Sequence, residues 1–137
     1  MSMAETPQIQ TSGKRKSAVA RAVVTKGAGR VWVNSRPLEL WEPYEARLKM
    51  QEPIRLSAPR SDGVDITVTV TGGGFMGQAS AVRTAIARGL VEAFQDPTLA
   101  GLFKHHDRSL LVNDTRRKLP KTPQGRGARK RRQKSYR

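Results

Sequence analysis

Residues 65–95, DITVTVTGGGFMGQASAVRTAIARGLVEAFQ, change period half-way along. Ile66, Val68 and Val70 alternate with Asp65, Thr67, Thr69 and Thr71, the two-residue period of a strand with one buried face. Beyond the glycines, Ala79, Val82, Ile86, Leu90 and Ala93 recur at steps of three and four, the apolar stripe of an amphipathic helix. A strand, a glycine turn and a helix are therefore set in that order. The rest of the chain must supply what the strand face and the helix stripe pack against.

Upstream, the basic cluster Lys14, Arg15, Lys16 runs into AVARAVVT, which suits a buried strand, with Arg21 inside it. KGAGR reads as a turn and VWV as a short strand, so these two strands are expected to form a hairpin. Leu38, Trp41, Tyr44 and Leu48 have helical spacing, and Pro43 and Pro53 are expected to break that region into a short helix and a second one. Asp96-Pro97 closes the long helix or opens the next turn, LAGLFKHH suits another short helix, and SLLVND is expected to enter the core extended. Trp32, Trp41 and Phe94 are read as core residues. The sum is an α+β domain, a small mixed sheet with helices packed on one face. Residues 1–8 are expected to be loose, 9–113 to form the domain and 114–137 a long extended basic tail.

That tail sets the function class. From Thr115 to Arg137 there are 11 Lys and Arg and no Asp or Glu, against 15 basic and 11 acidic residues in the preceding 114. Such a block repels itself and needs a polyanion to order it. Nucleic acid is the first candidate and an anionic membrane the second, and the tail lacks the apolar face an interfacial helix requires. With no cysteine there is neither a disulfide nor a cysteine zinc site. No signal-peptide pattern and no stretch of roughly 20 apolar residues is present, so a soluble intracellular protein is expected.

Gly72, Gly74 and Gly77 satisfy G-x-G-x-x-G, the dinucleotide fingerprint. The reading is rejected, because the preceding strand is polar on one face, whereas a central parallel strand is apolar on both. The absence of Lys-Ser/Thr after the glycines excludes a P-loop. Bare glycine backbone at a helix N-terminus suits a phosphate instead, one belonging to a nucleic-acid backbone. His105-His106-Asp107 does not converge on one ion at helical spacing, and no catalytic constellation is recognisable. A nucleotide-dependent enzyme and a DNA-compacting protein are the rival classes. Tyr136 has no core to join, which leaves stacking on an unpaired base or sugar, or no contact at all.

GGGFMGQASAVRTAIARGL resembles the signature of the universal small-subunit ribosomal protein family numbered nine. GKRKSAVARA is similar to that family's opening, LLVNDTRRK to its exit from the domain, and QKSYR to its terminus in the archaeal and eukaryotic branch. The resemblance implies a fold like the second domain of small-subunit protein five, no enzymatic activity, no cofactor, no small-molecule substrate and no membrane. It implies a place in the head of the cytoplasmic ribosome's small subunit, bound to ribosomal RNA beside other head proteins. On this resemblance Lys14, Arg15, Lys16, Arg21, Gly72, Gly73, Gly74, Gln78 and Arg83 are expected on rRNA. Arg116, Arg117, Lys118, Arg129, Lys130, Arg131 and Arg132 join them from the tail. Arg137 is expected on a phosphate near the anticodon of the P-site tRNA, with Lys134 and Tyr136 close by. The 18 residues from Pro120 to Arg137 reach at most about 60 Å when extended, enough to cross an RNA layer.

Overall fold

The computed structural model describes residues 7–135. Strand β1 (Ile9–Arg15) turns at Lys16 and Ser17 into β2 (Ala18–Lys26), and the two form an antiparallel hairpin. Then come β3 (Val31–Val33), β4 (Arg36–Pro37), helix α1 (Tyr44–Ser57), β5 (Val64–Thr71), helix α2 (Phe75–Phe94) and helix α3 (Pro97–His106). Short 3₁₀ turns lie at Leu38–Leu40, Arg60–Gly63 and Arg108–Leu110. The sheet order is β1-β2-β5-β3-β4, with β3 and β5 parallel and the other neighbours antiparallel. This is the expected small mixed sheet.

The two-residue period explains why helices cover one face. Ala18, Ala20, Ala22 and Val24 of β2 lie level with Val70, Val68 and Ile66 of β5, and all are buried. Arg21, Thr67, Thr69 and Thr71 point the other way and are exposed. Helix α2 lies against β1, β2 and β5 on the apolar side and carries α1 on its back. It is therefore buried almost all round: beyond the expected Ala79, Val82, Ile86 and Leu90, Ala81, Ala85 and Ala87 are also closed off from solvent. Small residues let it sit this close. A Cβ on Gly13 would lie 2.2 Å from the Ala81 carbonyl oxygen and 2.8 Å from the Ala85 nitrogen. Both contacts are backbone, which cannot turn aside, so Gly13→Ala is expected to cost about 2–3 kcal/mol, read as a lower urea midpoint.

Four local expectations are corrected. β2 and β3 do not pair, because β5 lies between them and takes β2 on one edge and β3 on the other. Pro53 sits buried inside α1 without ending it. Leu110 does reach the core, but in a 3₁₀ turn rather than extended. Trp32 is 38% exposed, because its neighbour Val33 takes the buried side of a three-residue strand. Trp41 and Phe94 do pack against the core. Among the described residues no helix is long and apolar enough to cross a membrane.

Candidate nucleic-acid interface

Three pieces of chain meet at one end of the sheet. The first is the β1–β2 turn, where Lys16 takes a positive φ of 53° and projects with Lys14 into solvent. The second is the Gly72–Gly74 link from β5 to α2. Gly72 has φ of +79°, and a Cβ there would meet the Ser17 carbonyl oxygen at 2.4 Å, so the two loops are in backbone contact. Asn34 fastens the end of β5 just before this link: its Nδ2 donates to the Val70 carbonyl at 3.1 Å, and its Oδ1 accepts from the Val70 N–H at 2.9 Å.

Gly74 differs from Gly72. Its φ is −93°, and nothing lies within 4 Å of where a Cβ would stand. The fold has no need of a glycine here. As the N-cap of α2 it provides no side-chain hydrogen bond, and the first turn carries no acidic residue. The first amide N–H groups of a 20-residue helix thus face outward with its dipole behind them. That arrangement suits a phosphate oxygen.

The third piece is the root of the tail. Asp114 pairs with Arg15 and forms an isolated parallel bridge with it, and the Asn113 side-chain oxygen accepts from the Lys14 N–H at 3.2 Å. Asp114 also accepts from the Arg116 N–H at 2.9 Å and its Nη2 at 2.8 Å. These bonds from Arg116 hold the Asp114 carboxyl well below the usual carboxylate range. The carboxylate is spent on the clamp, which starts the tail beside the β1–β2 turn. Arg117 and Lys118 follow, exposed.

The remaining expected residues stand elsewhere on the domain, along the tail or outside the described residues. Arg21 stands exposed on the open sheet face between Ser12 and Thr69. Gln78 is half-buried one turn into α2, its N–H bonded to the Gly74 carbonyl. Arg129, Lys130, Arg131, Arg132 and Lys134 are exposed, and none forms an ion pair with another described residue. Tyr136 and Arg137 lie outside the described residues.

Arg83 is placed elsewhere than expected. Its side chain is only 9% exposed, with Nε 2.7 Å from Glu52 Oε2 and Nη2 donating to Asp107 Oδ2 at 2.8 Å. Its charge joins α1, α2 and the turn after α3, and is consumed inside the fold. The Arg83 donors hold the Asp107 carboxyl down to about 2, helped by the Ser109 N–H. His106 has a similar task, bonding Glu52 from the end of α3. Sequence reasoning also passed over Lys49, which lines a cavity of about 100 Å³ with Lys14, Arg15 and Arg83. Burial lowers its pKa, and the charges of Arg83 and Arg15 lower it further. Nothing in KMQE marks that lysine, since its setting comes from three distant cations. Among the described residues, no group of three His, Cys, Asp or Glu comes together as a metal site.

The G-x-G-x-x-G reading also meets a structural obstacle. No strand follows α2 among the described residues, so the glycines do not open the βαβ unit that a dinucleotide site requires.

Residues 13–137 match the sequence model of the family described as ribosomal protein S9/S16. The chain belongs to this family. It is 61% identical over 128 residues to the small ribosomal subunit protein uS9 of Halobacterium salinarum, covering 93% of this chain and 97% of that one. Against the uS9 protein of Thermoplasma volcanium it is 56% identical over 127 residues, 93% of this chain and 96% of the relative. Against that of Pyrobaculum aerophilum it is 51% identical over 134 residues, 97% and 94%. All three are archaeal, in keeping with the branch read from the QKSYR ending. S9/S16 proteins are structural constituents of the ribosome and not enzymes.

Proposed function

We propose that this S9/S16 protein is a constituent of the small ribosomal subunit whose domain binds rRNA with the end of the sheet described above. In this reading the tail continues through RNA to the P-site tRNA. One observation carries it: the β1–β2 turn, the uncapped start of α2 and the root of the tail sit together, and the carboxylate among them is already paired. That the relatives are small ribosomal subunit proteins uS9 supports the choice of subunit. Lys14, Lys16 and Arg117 supply charge, while the amides at Gly74 and Phe75 fix where a phosphate sits. Arg137, with Lys134 and Tyr136, is proposed to meet the anticodon stem-loop.

Gly74→Ser separates binding from folding. Serine is a good N-cap, so stability is expected to stay within about 0.5 kcal/mol or rise slightly. The hydroxyl would occupy the amide donors, and rRNA affinity is expected to fall about threefold to tenfold. Chemical denaturation and filter binding to small-subunit rRNA provide the two readings. The proposal as a whole is tested by following the tagged full chain on a gradient. It is expected in the small-subunit peak and, once purified, to prefer head rRNA over competing duplex DNA. Sedimentation away from that peak, or equal capture by DNA, would overturn it.

A further inference from the structure

The chain is strongly basic, with a formal net charge of +15, so the placement of its 11 acidic residues is informative. Five of them serve the fold. Asp65 accepts from the Ala28 and Arg30 N–H groups, and Asp96 caps α3 and pairs with Arg60. Asp107 and Glu52 share Arg83, and Asp114 holds Arg15 and Arg116. Of the other described acids, Glu39, Glu42 and Glu45 fall within seven residues, all exposed, and none pairs with a described cation.

These three lie in and beside the segment that carries an exposed apolar patch. Leu40 is 70% exposed, Tyr44 58% and Phe75 57%. A shallow groove of about 670 Å³ is lined by Trp41, Glu42, Pro43, Tyr44, Arg47 and Phe75. The one cation there is already engaged: the Arg47 guanidinium lies 4.8 Å from the Tyr44 ring centroid, and its Nη1 donates to the Glu39 carbonyl at 2.7 Å. Arg47 thereby stiffens one wall of the groove. Exposed aromatics beside a pinned arginine resemble the core of a protein interface, and the carboxylates resemble its rim.

We propose that this groove docks a cationic segment of a neighbouring protein, an apolar side chain entering between Tyr44 and Phe75 and lysines or arginines meeting Glu39, Glu42 and Glu45. Charge decides against RNA as the occupant: the unpaired carboxylate of Glu42 in the lining, with exposed Glu39 and Glu45 on the same short segment, repels phosphates and attracts a basic peptide. The groove shares Phe75 with the phosphate site proposed at the start of α2, so a protein-facing groove borders the RNA-facing end. The proposal rests on the ribosomal reading above only for the particle in which the partner is sought.

The chain has no cysteine, so a probe can be attached at one chosen position. The full-length Tyr44→Cys chain, labelled with benzophenone maleimide, is assembled into small subunits and irradiated, with Lys16→Cys as the control. The expected product joins the groove position to a Lys- and Arg-rich segment of another subunit protein, identified by mass spectrometry. Adding Glu39→Lys, Glu42→Lys and Glu45→Lys is expected to lower its yield about tenfold. Crosslinks to rRNA, to a second copy of this chain or to a neutral or acidic segment would overturn the proposal. So would the absence of a product while the Lys16→Cys control reacts, or a yield indifferent to the charge reversal. Absence of the unlabelled wild-type chain from small subunits is a separate result, and it would count against the functional reading instead.

Discussion

A chain ending at Asp114 is expected to bind small-subunit rRNA at least about a thousandfold more weakly than the full chain at moderate salt, with its urea midpoint unchanged. The shortened chain keeps the Arg15–Asp114 clamp but loses the 11 cations from Thr115 onward. Each phosphate neutralised by a lysine or arginine releases counterions and steepens the salt dependence by about 0.9 logarithmic units. If six of the 11 meet phosphates, the slope of log K against log salt should flatten by about five units. Stability should hold because the described tail residues form no helix or strand and their basic side chains, Arg116 apart, pair with nothing in the domain. Salt titrations of both chains on one rRNA fragment provide the comparison. A change in slope of less than one unit would place the binding in the domain alone.

Arg83→Met is expected to act in the opposite way, on the fold and not on the RNA. It removes the cation shared by Glu52 and Asp107, whose side chains are 29% and 41% exposed. Stranding one half of a fully buried pair costs about 3–5 kcal/mol, and the partial exposure here reduces the expectation to about 2 kcal/mol. The pH dependence carries a specific mark. Asp107 ionises at about 2 in the fold against an ordinary 3.8, so the Arg83 interaction stabilises fully above 3.8 and is lost as pH falls toward 2. In Arg83→Met that acid-sensitive contribution should be missing, so the difference between variant and wild type should shrink as pH drops through this window. Urea melts at neutral pH and near pH 3, with rRNA binding measured where both chains are folded, test both halves. A tenfold loss of rRNA affinity in the folded variant would restore Arg83 to the binding surface.

These two arginines show what the sequence carries and what it leaves out. Arg83 and Arg117 are alike as letters in a basic chain. Only the packing of α2 between the sheet and α1 brings Glu52 and Asp107, 31 residues before and 24 after, onto the first of them. The β5–α2 unit was legible because its signal is periodic and local, and so was the Gly-rich turn. The pairing of β3 was not, because adjacency in sequence favours a hairpin and only the α1 crossover brings β5 between. Gly13 likewise carries no local mark, since the reason for it is the backbone of α2, about 70 residues away. Of the interface, the charge and the glycines could be read directly. The clamp between Arg15 and Asp114, which sets where the tail begins, could not, because it joins residues 99 apart.

The most direct test of the account uses the missing cysteines once more. An iron chelate tethered at Ser135→Cys, in small subunits carrying the full chain and tRNA in the P site, generates hydroxyl radicals beside the end of the tail. Strand cleavage in the anticodon stem-loop of that tRNA is expected. Cleavage confined to rRNA, while the same chelate at Lys16→Cys cuts head rRNA and shows the chain in place, would contradict the proposed reach of the tail.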